Sequence, residues 1–358
     1  MLRTGLVFLF VRSKGKLEEV FLEMRKFLAI VMVVALVLSL GVAAWAGPKW
    51  TFKMGHANPP DTPYDKLAHW FADAVYERTN GQVKINIFPS NQLGDWTETF
   101  ELIQRGVVEM GFQIANAQYD PKLNFAYYMP YVVSNLEEAK EAYAPGGWAY
   151  DIIKDLWSEH DIKALAVYPI GMAGVSLREV PPSPGDPTVE KRMKVRVMPL
   201  KACSMTYEAL GYIATPIPYA ECYSAIQTGI VDGQMGGPPF QAWQFRDVNK
   251  VWIQYNDYFE QHWIVMNQGI WNSLPADIQK VIQETAAEAS ATRWKQVETE
   301  DEHYRNVLKN EFGWKIVLLT QDELNACADR VRKLVWPKMK EMLGTELYTK
   351  IRLATFKE

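Results

Sequence analysis

From Trp50 onward the chain moves between two rhythms. In WTFKMGH, Trp50, Phe52 and Met54 fall on one side of an extended segment, which predicts a strand. The next stretch, NPPDTPYDKLAHWFADAVYERTNG, shifts to a four-residue beat, with Leu67, Phe71 and Val75 in one apolar stripe. Thr62 is the expected N-cap, Pro63 the first helical position and Asn80-Gly81 the stop. Val83, Ile85 and Ile87 alternate again as a second strand. Asp95 and Glu98 form a capping-box pair that opens a helix running to Gln104, Gly106 ends it, and VVEMGFQI reads as a third strand.

The same order returns later. MKVRVM predicts a strand, SMTYEALG a helix, YIATPIP a strand, AECYSAIQT a helix, and IVDGQ a strand after Gly229. The junctions agree by letter as well: Ile103, Gln104, Gly106 and Val108 meet Ile226, Gln227, Gly229 and Val231 at a constant offset. Two α/β lobes of related topology, each on a mainly parallel sheet, are therefore expected. Residues 272–310 carry a helix-opening signal at Ser273-Leu274-Pro275 and no later Gly or Pro. They predict one long helix able to brace both lobes. The end segment TQDELNACADRVRKLVWPKMKEMLG predicts two helical pieces broken near Pro337.

Open α/β sheets bind ligands beyond the carboxyl ends of their strands, and two facing lobes make a cleft there. In lobe one the strand ends bring His56 and residues 113–116, Asn116 among them, to the rim. In lobe two they bring residues 196–198 and 234–237. Arg196 alternates with Val195 and Val197, so it faces away from them. A lone strand Arg usually faces water. Its place at a strand end beside a cleft raises a second role, holding a ligand. His56 is either a ligand contact or a group that hydrogen-bonds its loop.

Composition narrows the class. The 358 residues are 48% hydrophobic and 13% aromatic, ample for two domains. Net charge is -4, with no basic patch, so nucleic acid is not an expected partner. Arg25 and Lys26 precede an apolar run that ends at Ala44-Trp45-Ala46, before Gly47. This reads as a secretory signal cleaved after Ala46. An uncleaved anchor over residues 27–42 is the rival reading, opposed by the small residues that follow and the lack of a basic stop-transfer flank. Met24 stands directly before the basic pair and is the expected true start. Residues 1–46 hold six of the 38 Lys/Arg and three of the 42 Asp/Glu, so the exported chain carries -7. Export places it in the periplasm or outside the cell. The cysteines, Cys203, Cys222 and Cys327, are odd in number and too widely spaced for metal-binding pairs. Buried free thiols are preferred to a Cys203–Cys222 bridge.

A search for reaction chemistry finds little. The five histidines form no H-E-x-x-H or close metal pair, and no G-x-S-x-G, P-loop, C-x-x-C or G-x-G-x-x-G is present. No catalytic residue, metal or cofactor is expected.

Several segments, in order, resemble the substrate-binding subunits of the tripartite ATP-independent periplasmic (TRAP) transporters. They are FKMGHANPPDTPYDKLAHWFADAVYERTNGQVKINIFPSNQLGD, ELIQRGVVEMGF, MPYVVSNLEEAKEAY, KVRVMP, EALGYIATPIPYAECYSAIQTGIVDGQ and WNSLPADIQKVIQE. The resemblance implies a two-lobe solute-binding protein fold with a hinged cleft and a long helix spanning both lobes. Lobe one is then 47–175 with 262–301, and lobe two 176–261 with 302–358. It implies a non-enzymatic role confined to binding: a monomer that closes on an organic acid and delivers it to a small and a large membrane permease subunit. Arg196 matches the family arginine that forks onto the ligand carboxylate, and a planar guanidinium suits that task. Arg178 resembles a second cleft arginine; a solvated or salt-bridged loop charge is the alternative. In QMGGPP, Gly236 stands where many members have a ligand-contacting Asn. Gln234 and Met235 stand where a keto-acid branch has Glu-Trp, which disfavours metal assistance. Gly237 shares the glycine pair that offers backbone amides and room. Phe240 and Trp243 are weighed as pocket walls against the default of lobe core, and these rings together with the lost Asn side chain suggest a ligand with an apolar or aromatic body. An exported sensor, or an exported hydrolase or isomerase using the same cleft, are the other readings.

Overall fold

The computed structural model describes residues 22–32 and 47–357. Residues 22–32, which include Met24, Arg25 and Lys26, are helical. The rest of the expected leader, with its cleavage signal at 44–46, and residues 1–21 lie outside the described residues. No described helix is long and apolar enough to cross a membrane. From Thr51 the chain forms one compact unit.

Eleven strands are described: β1 (Trp50–Gly55), β2 (Val83–Phe88), β3 (Met110–Gln113), β4 (Ile162–Met172), β5 (Val175–Leu177), β6 (Lys194–Val197), β7 (Ile213–Pro216), β8 (Gly233–Met235), β9 (Val251–Gln254), β10 (Phe259–Asn267) and β11 (Lys315–Leu318). They build two sheets, ordered β2-β1-β3-β10-β4 and β11-β9-β5-β8-β6-β7. The expected repeat is present. In each sheet the first strand of a β-α-β-α-β run sits between the second and third, as β2-β1-β3 and as β7-β6-β8.

The matching letters have a shared backbone cause. Gly106 and Gly229 lie at φ +70° and +80°, a left-handed conformation that glycine adopts without a Cβ penalty. Gly106 N–H donates to Ile103 C=O and Val107 N–H to Leu102 C=O. Gly229 and Ile230 repeat this to Ile226 and Ala225. Each helix is closed the same way, and Val108 and Val231 then turn into their cores. Upstream, the Asp95–Glu98 capping box and the Thr62 cap are formed as the sequence predicts.

Both sheets are mixed, and in the second three of the five pairings, β9 with β11 among them, are parallel. Pairing is parallel for β1 with β3 and for β6 with β7 and β8, but β10 runs antiparallel to β3 and β4, and β5 antiparallel to β8 and β9. The chain crosses between sheets three times; the two short crossings each lead into an antiparallel strand, and the third returns from β10 to β11 through residues 268–314. The first crossing is residues 173–174, between β4 and β5, and the second is residues 255–258, between β9 and β10. Val175 already pairs with Met235 and Ile253, and Phe259 with Met172. The expected lobe limits, after 175 and after 261, therefore move upstream.

The two short crossings lie side by side. Ala173 N–H donates to Tyr258 C=O at 3.0 Å, and Asn256 N–H to Ala173 C=O at 2.9 Å. Gly174 exchanges bonds with Gly236 and Gly237, at 2.9 and 3.2 Å. The long helix, Ala276–Asn310, packs on β4 and on helix Pro63–Arg78 at one sheet, and on β11 and helix Pro239–Gln244 at the other. One rod thus touches both halves. At the C-terminus, Gln321–Leu343 is a single helix that runs through Pro337, and the break comes at Gly344, φ +79°. Buried Val335, Trp336 and Met339 flank the proline, and Trp336 Nε1 donates to Pro130 C=O at 2.8 Å. That anchoring offsets the roughly 3 kcal/mol that an interior proline costs. Cys203, Cys222 and Cys327 are buried and free, as preferred from sequence.

Gly174 has no room for a side chain: a Cβ there would lie 2.4 Å from Ile253 C=O and 2.9 Å from the Trp252 ring. Gly174→Ala is expected to destabilise the protein by about 1–3 kcal/mol through overpacking. Thermal unfolding followed by circular dichroism checks this; an unchanged midpoint contradicts a close-packed crossing.

Candidate functional site

Strand register gathers one row of polar side chains on the second sheet. Arg196 is level with Gln234 on β8 and Thr215 on β7, and Gln234 is level with Ser176 on β5. Alternation sends Val195 and Val197 into the core on the other face. Arg196 is only 3% exposed. Its Nε donates to Ile217 C=O at 2.8 Å, and the guanidinium lies 5.6 Å from the centre of the Tyr219 ring. Among the described residues no carboxylate comes within ion-pair distance of it. Gln234 is fully buried; its Oε1 accepts a weak bond from the Cys222 thiol at 3.6 Å, and its Nε2 has no partner among the described residues.

The first sheet faces this row with groups from β10. Glu260 and His262, two residues apart, share one strand face. Glu260 Oε1 accepts from Gln241 Nε2 at 3.2 Å, which joins β10 to the helix Pro239–Gln244 that follows β8. His262 Nε2 lies 3.6 Å from the same Glu260 oxygen, its Nδ1 bonds the Tyr64 hydroxyl, and its ring meets Trp96 edge-on at 5.0 Å. The second Glu260 oxygen is buried with no hydrogen-bond partner among the described residues. Tyr127, at the end of helix Leu123–Tyr127, places its hydroxyl 2.7 Å from Met198 Sδ, just beyond β6. Burial pushes the Tyr127 hydroxyl well above its ordinary range; the Glu260 charge pushes the same way and the Arg196 charge opposes it. One ring therefore feels both charges.

Sequence reasoning missed Glu260, Gln241 and Tyr127. The signal was available in FEQHW: an acid and a histidine alternate with Phe259, Gln261 and Trp263 in an otherwise apolar strand.

Other expected contacts resolve differently. Arg178 stands two residues beyond Ser176 on β5, its N–H bonded to Asp232 C=O. Its guanidinium lies over Gly229, in the turn that leads into β8. That is the opposite end of the sheet from Gly236 and Gly237, so the second cleft arginine is not found; the β5 residue level with Gln234 is Ser176, whose Oγ accepts from Asn249 Nδ2 at 3.0 Å. Met235 alternates to the other face and is fully buried in the core. Gly236 N–H is committed to Gly174, so it is not a free donor. Gly236 and Gly237 lie at φ +108° and +69°, and a Cβ on Gly237 would fall 2.1 Å from Gln241 Oε1. Their role is to let the chain turn against Gln241. Phe240 and Trp243 stack on each other and close on Tyr304 of the long helix, at 5.0 and 5.7 Å, so they pack a helix contact. The inference of an apolar ligand body, drawn from those rings together with the Asn-to-Gly difference at 236, loses the first of its two supports. His56 is buried, its Nε2 3.3 Å from Asp65 Oδ1 and its ring edge-on to Phe112. Burial lowers its pKa, with Asp65 opposing. Asn116 caps a turn, its Oδ1 accepting from Gln118 N–H at 3.0 Å.

Two buried carboxyls sit at the crossings. Burial pushes Asp257 up to about 7, against a 3.0 Å bond from the Tyr128 hydroxyl. Burial likewise pushes Asp301, beside Gly171 on the long helix, up to about 7, with Arg305 and Arg293 opposing. In the folded state these groups keep a proton that an unfolded chain sheds near pH ~4. Their stabilisation is full below that pH and is lost as pH rises through about 7. His56, shifted down, acts in the opposite sense below its ordinary range.

Known proteins share this architecture. The pattern that defines "Bacterial extracellular solute-binding protein, family 7" matches residues 54–341. The chain is 27% identical over 331 residues to the C4-dicarboxylate-binding periplasmic protein DctP of Rhodobacter capsulatus, covering 91% of this chain and 97% of that one. It is 27% identical over 218 residues to the ectoine-binding periplasmic protein TeaA of Halomonas elongata, covering 58% and 60%. Among solved structures, a TRAP periplasmic solute-binding protein from Desulfovibrio salexigens with bound orotic acid superposes with a TM-score of 0.76 at 24% identity, over 86% of this chain and 98% of that one. One from Sulfurospirillum deleyianum with bound succinate gives 0.73 at 23%, over 86% and 99%. These likenesses show the two-lobe fold.

Asp257→Asn is expected to flatten the fall in stability from pH 5 to pH 8, an effect on the order of a few kcal/mol. Urea midpoints across that range check it; a wild-type slope in the variant contradicts the assignment.

Proposed function

Because the chain belongs to family 7 of the bacterial extracellular solute-binding proteins, we propose that it captures a small organic acid between its two sheets and hands it to the small and large subunits of a TRAP-type permease. The family consists of solute-binding proteins, so binding and release, without turnover, is the task. The chain is exported by the leader that ends at Ala46, works in the periplasm and acts as a monomer.

Arg196 carries this reading. A guanidinium taken out of water without an acid beside it leaves a charge uncompensated, which costs several kcal/mol. A ligand carboxylate supplies the missing charge and accepts two parallel N–H bonds from the planar fork. Arg196 belongs to the second sheet, while Tyr127, Glu260 and His262 reach in from the first. A solute touching both sets favours the closed arrangement by the difference in its affinity for closed and open states. The paired crossings are the natural hinge, and the long helix supports both halves while they move.

Arg196→Ala is expected to weaken binding of the recognised acid by about 2–5 kcal/mol, roughly 30-fold to more than 1,000-fold, with the fold intact. Arg196→Lys retains charge but not the fork, so it falls between. Calorimetry with an acid panel that includes succinate, orotate and glucuronate measures this. Equal affinity in wild type and Arg196→Ala ends the proposal.

A further inference from the structure

We propose that the cleft selects a zwitterion: a carboxylic acid whose far end carries a cationic nitrogen, an ammonium or an amidinium, received by Glu260. This rests on Arg196 as the carboxylate anchor and adds the chemistry of the ligand's other end.

Glu260 is 5% exposed. Its Oε1 is held by Gln241 and faces His262, but its Oε2 is buried without a hydrogen-bond partner among the described residues. Neither Lys nor Arg pairs with it among those residues. His262 is the one nearby group able to carry positive charge within ion-pair distance, and its other nitrogen is engaged by Tyr64. Gln241 is neutral. Oε2 is therefore left without a partner inside the protein, where a native structure rarely leaves a polar group without use.

Arg196 has the complementary condition, a buried positive charge with no acid beside it. The two residues do not pair with each other, yet both act on Tyr127, which lies between the halves. They belong to different sheets, Arg196 to β6 and Glu260 to β10. Three ligand types give three charge balances. A dianion would set its second carboxylate against Glu260. A monoanion would satisfy Arg196 and leave Glu260 as it is. A zwitterion gives each buried charge an opposite one, and it spans both sheets in doing so. Glu260 is then both an attractive contact for cationic nitrogen and the element that rejects dicarboxylates.

The test uses the full chain and two probe series matched in length: butyrate, succinate and 4-aminobutyrate, then valerate, glutarate and 5-aminovalerate. Thermal shift and calorimetry read binding to wild type, Glu260→Gln and, should that variant fold poorly by circular dichroism, Glu260→Asp. A zwitterion binding at least ten-fold tighter than its matched dianion supports the proposal. So does a ten-fold loss for that zwitterion, without loss for the monoanion, in Glu260→Gln. Dianion or monoanion binding as tight as the zwitterion overturns it, provided the binding depends on Arg196, and leaves the organic-acid reading standing. Anion binding that requires Na+ or Ca2+ and loses that requirement in Glu260→Gln also overturns it, because a metal ion is then the occupant. No binding by any probe overturns this inference, while Arg196-independent binding overturns the reading beneath it.

Discussion

A buried guanidinium without an acidic neighbour sets the terms for the rest of the molecule. Arg196 can be kept out of water only because a backbone carbonyl and an aromatic face hold it in place. Both supports come from the segment that follows β7, at Ile217 and Tyr219. The strand pairing that sets β6 beside β7 and β8 fixes the height of the charge relative to Gln234 and Thr215. A slip of one residue would turn the arginine into the valine core. The parallel triplet is thus what aims the charged group, and the valines on its other face are what lock the triplet.

The doubled triplet makes two comparable platforms, and the crossings decide how they meet. The two short crossings are two and four residues long and are bonded to each other, so beside the long helix the halves are joined by a narrow ribbon of backbone. Glycines at 171, 174, 236 and 237 crowd this ribbon, three of them at positive φ. Gln241 fills the space that a side chain on 237 would occupy, and from there it reaches Glu260. The joint and the polar wall of the cleft therefore share a residue, so a change in one is felt in the other.

Much of this was legible in the sequence because it is local. Caps, stops and the repeated Gly-terminated helix ends need only neighbouring residues, and they appear where Thr62, Asp95, Gly106 and Gly229 predict. The side assigned to Arg196 followed from alternation alone. What failed depends on pairing between distant strands. β5 has three residues and begins two residues after β4, with no turn signal between them, so neither the lobe limit nor the position of Arg178 relative to Gln234 was available. Met235 was grouped with its neighbours although alternation sends it inward. Phe240 and Trp243 were drawn toward the cleft by their closeness to the glycines, whereas Tyr304, more than sixty positions away, takes them. Glu260 was hidden by the aromatic density around it.

The three thiols carry a consequence for how the chain matures. Burial raises Cys222 to about 11 and Cys327 to about 12, and raises Cys203 above its ordinary range as well. Only thiolates attack disulfides or oxidants at a useful rate. Once packed, the cysteines are inert toward oxidases and exchange partners, so the finished protein is indifferent to the redox poise around it. The vulnerable interval is the one before packing, when a cross-link between Cys203 and Cys222 would tie helix Lys201–Ala209 to helix Tyr219–Gln227.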